Sequence, residues 1–258
     1  LETMNGDLYL CGNNGKNRMG FSNGNTIKNQ SSFKRLSFNN KHKSSSIKDC
    51  ALGGNHGMVL LENNDLLSWG YNEFSQLGYS TSESNSSEPR VVLSQPWKKN
   101  NAELKFISVS NIHSSIVDSQ NYLYSWGLNV GQIGSSSSFS NYGSSFPFKD
   151  EILFKGLKGN IVRNPFAYKL PAWVGDVKQI LAVDFATLIL YGDNELCVLC
   201  NFKTFKFSIP KLGQQEISFD RFVPSKLSKP NKVVKIETKN KYGNNLCALY
   251  ENGAVGIF

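Results

Sequence analysis

The chain has 258 residues, 40% of them hydrophobic, and a formal net charge of +8. That length suits one large domain, because sandwiches, barrels and propellers reach this size as single units. No run approaches the roughly 18 uncharged apolar residues of a membrane span, and Leu1-Glu2-Thr3-Met4 lacks the basic flank of a signal peptide. A soluble intracellular protein, cytoplasmic or nuclear, is expected, with no membrane partner.

The first predicted strand, Gly6-Asp7-Leu8-Tyr9-Leu10-Cys11-Gly12, runs into a glycine and asparagine turn at Gly12 to Gly20. A polar, basic stretch at 22–46 interrupts before the next apolar run, 47–52. There follow a turn at Gly53-Gly54-Asn55-His56, a strand at Met58-Val59-Leu60-Leu61, and a turn at Asn63-Asn64-Asp65. An aromatic strand then ends at Trp69-Gly70. The same order recurs: a strand at 104–109, a turn ending at His113, and a strand ending at Trp126-Gly127.

A stretch at 135–171 separates this from a fourth copy. There the run from Val177 to Leu190 has Ala186 at the histidine position, and Asn194 to Cys200 forms the closing strand. After 202–232 a fifth copy carries Asn244 at the histidine position and closes on Asn252 to Phe258. The steps Gly12 to Gly70 and Gly70 to Gly127 are nearly equal, and His56 to His113 keeps the same step. Two landmarks in one register establish an internal repeat.

Short strands and turns, with no capped helical stretch in the cores, give an all-β chain with one small sheet per repeat. That is a propeller, in which radial repetition leaves only short, protected edges. A solenoid would also stack repeats, but its units are usually shorter. The period of about 57 residues exceeds the roughly 40 to 50 of tryptophan-aspartate and kelch propellers, which points to another propeller family.

The segment Gly70-Tyr71-Asn72-Glu73-Phe74-Ser75-Gln76-Leu77-Gly78 resembles the Gly-x-Asn-x-x-x-Gln-Leu-Gly signature of the regulator of chromosome condensation family. Gly127-Leu128-Asn129-Val130-Gly131-Gln132-Ile133-Gly134 is one residue shorter, and Gly12 to Gly20 is a degenerate version. The order of features, with two well-formed units followed by divergent ones, is similar to the propeller of the inhibitor of Bruton's tyrosine kinase and its fungal BTB-domain relatives. The resemblance implies seven blades where five units are visible. It also implies that 1–258 is one propeller domain, a fragment of a longer multidomain protein, with insertions near 22–46, 135–171 and 202–232. It further implies a non-enzymatic scaffold that binds a ubiquitin-ligase substrate or a regulatory protein. The alternatives are a chromatin-binding exchange factor for a small GTPase, or the partner of a tRNA-modification factor.

The candidate residues divide in two. His56 and His113 read as turn residues whose rings bond local backbone. Trp69 and Trp126 read as large bodies packed between blades, and Gly70, Gly78, Gly127 and Gly134 as turn glycines. Partner binding is expected of Phe139, Tyr142, Phe146, Phe148, Arg221, Lys226 and Lys229, because aromatics beside cations on loops are typical interface anchors.

No carboxylate pair or Ser-His-Asp set stands out, so no enzyme activity is expected. No metal or cofactor is expected either. Five cysteines suit no disulfide framework, and Cys197 and Cys200, three apart on a strand, point to opposite faces. The lysines are scattered, which favours a solvated surface over a nucleic-acid groove, with nucleic acid the lesser alternative.

Overall fold

The computed structural model describes residues 3, 6–21, 28–38, 42, 45–79, 83–130, 132–133, 160–200, 204–209, 213–218, 225–227, 233–238 and 246–257. Side chains are described for all of these except 160, 204–209, 213–218, 225–227, 246, 256 and 257. The chain is all-β, and the described residues form five antiparallel sheets.

The first sheet pairs β1 (Tyr9–Asn13) with β2 (Asn29–Arg35). The second is β3 (Ile47–Leu52), β4 (His56–Leu61), β5 (Leu66–Tyr71) and β6 (Asn85–Val91), in that order. The third repeats it with β7 (Leu104–Val109), β8 (His113–Asp118), β9 (Tyr122–Asn129) and β10 (Asn160–Lys169). The fourth has β11 (Val177–Val183), β12 (Ala186–Tyr191) and β13 (Glu195–Cys200).

The chain then departs from simple meanders. A hairpin of β14 (Thr204–Ile209) and β15 (Gly213–Ser218) intervenes before β16 (Ser225–Leu227) returns to pair with β13. The fifth sheet is β17 (Val233–Thr238), β18 (Leu246–Tyr250) and β19 (Val255–Ile257), and the β14–β15 hairpin adds to its outer edge through Ser208 opposite Ile257.

Three of the stretches set aside as insertions therefore hold outer strands. β2 lies within 22–46, β10 within 135–171, and β16 within 202–232. β2 escapes the repeat pattern because it is polar and mostly exposed, reading Asn-Gln-Ser-Ser-Phe-Lys-Arg, and β10 because most of its residues face solvent and follow no apolar alternation.

The register is shared between sheets. Each pairing of first and second strand carries an irregularity one residue in, at Lys48, Lys105, Lys178 and Val234. Such bulges sharpen local twist and are placed features of a sheet rather than defects. β3 packs beside β7, β7 beside β11, and β11 beside β17, so the first strands form the inner row of a radial arrangement.

Alternate residues of each strand face opposite neighbours. Met58, Leu60 and Leu66 pack with Leu104, Ile107 and Val109 at the junction of second and third sheets. Val59, Leu61 and Trp69 face the other way, onto Leu8 and Leu10 of the first sheet. Cys197 joins the cluster between third and fourth sheets and Cys200 the cluster between fourth and fifth. Trp97, on the short α1 helix (Pro96–Lys99), is fully buried beneath the connection from β6 to β7 and packs edge-on against Tyr124, 5.5 Å between centroids.

Candidate protein-interaction face

In a four-stranded antiparallel meander the turns between first and second strands and the loops between third and fourth leave from the same rim. The Gly/His turns and the Gly-x-Asn loops of successive sheets therefore line one side of the arc.

The loops hold their shape through side chains of the motif. Asn72 Oδ1 accepts the Leu77 amide at 3.1 Å, and Asn72 Nδ2 donates to the Glu83 carbonyl at 3.0 Å. In the degenerate first copy Asn14 Oδ1 accepts the Met19 amide at the same 3.1 Å. Asn17 and Ser75 hold the same position in left-handed backbone, with φ of 59° and 58°. The Gln76 carboxamide folds back to accept the Phe74 amide at 3.0 Å, as Gln132 does for Val130 at 2.8 Å. These bonds satisfy backbone groups that a loop would otherwise leave open.

Successive sheets are then joined through this rim. His56 Nε2 lies 2.8 Å from Ser114 Oγ in the next sheet, and the Ser114 hydroxyl donates to the Gln76 carbonyl at 2.8 Å. One junction on, His113 Nε2 is 3.3 Å from Thr187 Oγ1, which donates to the Gln132 carbonyl at 3.0 Å. A hydroxyl has one proton, so having given it to the carbonyl it accepts from the ring; the pattern assigns the Nε2–H tautomer to both histidines.

Through Nε2 both histidine rings thus bond side chains of the following sheet. The Nε2 partner of His56 lies more than fifty residues away in the chain, beyond what a reading of the turn alone supplies, whereas Nδ1 of His113 meets Ser110 Oγ of its own turn at 2.8 Å. The tryptophans complete the link in the opposite direction. Trp126 Nε1–H donates to the Gln76 carbonyl at 2.8 Å, and Trp69 Nε1–H to the Arg18 carbonyl at 3.0 Å.

A second ladder runs through the turns themselves. Gly54, Asn111 and Asp184 occupy one position in three consecutive sheets. The Gly54 amide donates to Asn111 Oδ1 at 3.0 Å, while Asn111 N and Nδ2 donate to Asp184 at 2.8 and 2.9 Å. Gly70 and Gly127 have φ of 103° and 110° where a Cβ would meet the backbone of the facing histidine strand. Gly78, at φ 71°, seats the loop on Trp126 of the next sheet.

Over these links sits an aromatic cap. Tyr71 and Phe74 pack edge to face at 5.8 Å, with Ile112, Leu128, Val130 and the half-buried Phe185. Lys16 Nζ stands 4.0 Å over the Tyr71 ring, and the Tyr71 hydroxyl donates to Glu73. Burial, reinforced by the Glu73 carboxylate, pushes the Tyr71 hydroxyl above its usual value and keeps it a donor. Arg163 reaches in from β10 to Ser75 Oγ at 3.3 Å. Lys16, Glu73 and Arg163 are exposed, so the rim presents two cations beside one carboxylate over a packed aromatic base.

Phe139, Tyr142, Phe146, Phe148, Arg221, Lys229 and Gly134 lie outside the described residues; Lys226 falls in β16, where only the backbone is described. Sequence reading missed the cap residues Phe74, Ile112 and Phe185, whose only signal is their place in the repeated loop and turn. Among the described residues no group of three or more His, Cys, Asp or Glu is placed to hold a metal ion, and no helix is long and apolar enough to cross a membrane.

Residues 47–76 match the family model of the regulator of chromosome condensation (RCC1) repeat. Among curated proteins, the mitochondrial RCC1 domain-containing protein RUG3 of Arabidopsis thaliana is 29% identical over 129 residues, half of this chain and 26% of that protein. A bifunctional serine/threonine-protein kinase/NEDD4-like E3 ubiquitin-protein ligase of Dictyostelium discoideum is 30% identical over 136 residues, half of this chain and 7% of that protein. Among solved structures, Prp20p of Saccharomyces cerevisiae superposes with a TM-score of 0.67 at 22% identity, covering 97% of this chain and 53% of that one. Human WBSCR16 gives 0.63 at 16% identity, covering 91% and 52%. The chain spans about half the length of these structures and about a quarter or less of those curated relatives. The structural likeness establishes an RCC1-like propeller fold.

Proposed function

With an RCC1 repeat at residues 47–76 and an RCC1-like propeller fold as premises, we propose that this chain is a protein-docking platform without catalytic chemistry of its own. The observation that carries this is the rim. Its loops are held rigid by side-chain-to-backbone bonds inside each sheet and by hydroxyl and indole links between sheets, and it carries exposed charge over an aromatic base. A rigid scaffold that spends its polar groups on positioning loops is suited to recognition, since little ordering entropy remains to be lost on binding.

The finer reading is an adaptor that presents a substrate or regulatory protein to a cullin ubiquitin ligase through BTB domains. Its support is the order of well-formed and divergent units in the sequence. A second reading, contact with chromatin and a small GTPase, draws on the fold of Prp20p, whose crystal structure is described together with binding to Gsp1p and histones, and on the net charge of +8. Phosphate-driven binding falls steeply with salt, whereas a mixed aromatic and polar interface does not.

The test is affinity purification of the full-length protein from its own cells, with and without these residues, at moderate and high salt, read by mass spectrometry. Defined proteins recovered at both salts, and lost with the Lys16→Glu/Arg163→Glu double variant, are expected. Recovery of histones and a GTPase at the moderate salt alone would replace the adaptor reading with the second one.

A further inference from the structure

Lys34-Arg35-Leu36-Ser37-Phe38 is the one place in the sequence where a serine or threonine has Lys or Arg at both the third and the second position before it. An aromatic residue follows the hydroxyl directly. Kinases that select substrates by charge pattern set an acidic groove against such a basic pair, and an apolar residue next to the serine fills a pocket beside it. Ser32, on the same strand, has Asn29 and Gln30 in the two basic positions and serves as an internal control.

The fold presents this stretch on its surface. β2 leaves the rim at Asn29 and reaches the opposite end of the first sheet at Arg35, so Ser37 stands apart from the docking face. The pairing with β1 sets Lys34 opposite Leu10 and Arg35 opposite Tyr9, and the Leu36 amide continues it by donating to the Leu8 carbonyl at 2.7 Å. One further step in the same register sets Ser37 opposite Asp7.

Side chains alternate along an extended chain, so Leu36 turns inward and is buried in one cluster with Leu8 and Leu10. Arg35 and Ser37 turn the other way, and both are exposed. Arg35 already spans the strands to Asp7, Nη2 to Oδ1 at 2.6 Å. Ser37, Arg35 and Asp7 therefore share one face, and the Arg35 side chain is long enough to reach either neighbour.

The second sheet shows that this position stays on the surface when another sheet packs before it. Leu93 holds the place of Ser37 there, since the Val92 amide donates to the Leu66 carbonyl at 2.9 Å as Leu36 does to Leu8. Val91, on the same side of its strand, packs into the junction with the first sheet, yet Leu93 is 65% exposed. The strand end lies beyond the packed junction.

We propose that Ser37 is a phosphorylation site for a serine/threonine kinase directed by basic residues, and that its phosphate draws Arg35 from Asp7 and loosens the end of the β1–β2 pair. In the transfer, Ser37 Oγ bonds to the γ-phosphorus of a nucleoside triphosphate while the bond from that phosphorus to the bridging oxygen breaks. The nucleoside diphosphate leaves, and the hydroxyl proton passes to the catalytic carboxylate of the kinase. The product carries a charge of about −1.5 to −2 at pH 7 and three acceptor oxygens. The guanidinium fork matches phosphate oxygens in two-bond geometry, which draws it toward the new group. Asp7 is left facing that charge across the strands, and like charges set opposite each other weaken a pair. The bond from Leu36 to Leu8, one step inside, is the first to open.

The full-length protein is treated with ATP and the catalytic subunit of cyclic-AMP-dependent kinase as a basic-directed probe, and the sites are mapped by mass spectrometry. The same map is made of protein recovered from its own cells. Phosphate on Ser37 and none on Ser32 is expected in both, with transfer about tenfold or more slower in Arg35→Gln. Amide exchange in peptides spanning Leu36 should quicken about twofold to fivefold on phosphorylation, and Asp7→Asn should remove that change without altering the modification. Ser37 unmodified in either map, or modified only after heat denaturation, would overturn the site. Phosphorylation with unchanged exchange at Leu36 would overturn the loosening of the strand end.

Discussion

The imidazole of His56 and the hydroxyl of Ser114 meet at 2.8 Å across the junction of the second and third sheets, and the hydroxyl passes its own proton to the Gln76 carbonyl. Two groups of the second sheet are thereby satisfied by one buried hydroxyl of the third. Removing it in Ser114→Ala takes the acceptor from a buried ring N–H and leaves the Gln76 carbonyl with only the Trp126 indole as donor, which costs about 1–3 kcal/mol. Ser114→Thr should be close to neutral, because Thr187 makes both bonds at the next junction. Chemical denaturation of the two variants checks this; equal stability of Ser114→Ala and the parent would remove the hydroxyl from the account.

The indole of Trp126 combines bulk with a bond to the same Gln76 carbonyl. Trp126→Phe should keep most of the packing and lose the bond, at about 1 kcal/mol, whereas Trp126→Ala should cost about 3–5 kcal/mol. Partner recovery by the folded Trp126→Phe protein should be unchanged, since the indole is fully buried. Selective loss of binding at unchanged melting temperature would move this residue from scaffold to interface.

Glycines at one repeat position should not be equivalent. Gly127→Ala places a methyl against Ile112 O and His113 Cα, so a cost of several kcal/mol or loss of folding is expected. Gly12→Ala has the same backbone strain without the clash and should cost about 1 kcal/mol in the isolated chain. Thermal melts of the two proteins side by side give the comparison.

Asp65, at the hairpin turn between β4 and β5, is paired with Lys98 of α1, with the Asn63 amide at 2.9 Å and the His42 ring at 3.4 Å. Burial alone would raise its carboxyl, but Lys98, Asn63 and His42 together hold it below the ordinary carboxylate value. The unfolded chain then binds the proton more readily than the folded one. This contribution is present in full above the unfolded carboxylate value, near pH 4, and is lost as pH falls through the lower folded value. Asp65→Asn should lower stability at pH 7 by on the order of 1 kcal/mol and flatten its decline between about pH 5 and 3. Parallel pH profiles for parent and variant would show that the carboxylate is not the titrating group.

What could be read from the sequence follows what each residue does locally. The third strands announce themselves through Trp69-Gly70 and Trp126-Gly127 because one residue packs between sheets and the next makes room for a backbone, and both needs recur at every sheet. The histidines are visible as a repeat, yet their bonding is not, because Ser114 and Thr187 enter from the following unit. The outer strands leave little trace, since β2 and β10 have one covered side at most and need no apolar alternation. Trp97 is invisible to a repeat search, because an α-helix occurs in only one of the described connections. The cap residues Phe74 and Phe185 look like ordinary loop aromatics until the turns of three sheets are brought together.

The β14–β15 hairpin leaves the fourth sheet before that sheet is finished and completes the edge of the fifth. Each of these two sheets therefore holds a strand the other's chain path must pass through. The second and third sheets can close as their residues emerge in order, but the fourth has to keep the β13 edge open while the hairpin goes by. The fifth reaches its outer edge only by taking back a segment made earlier. The last two sheets should accordingly form and melt as one body, with the chain's order of synthesis and its order of assembly parting company at Cys200.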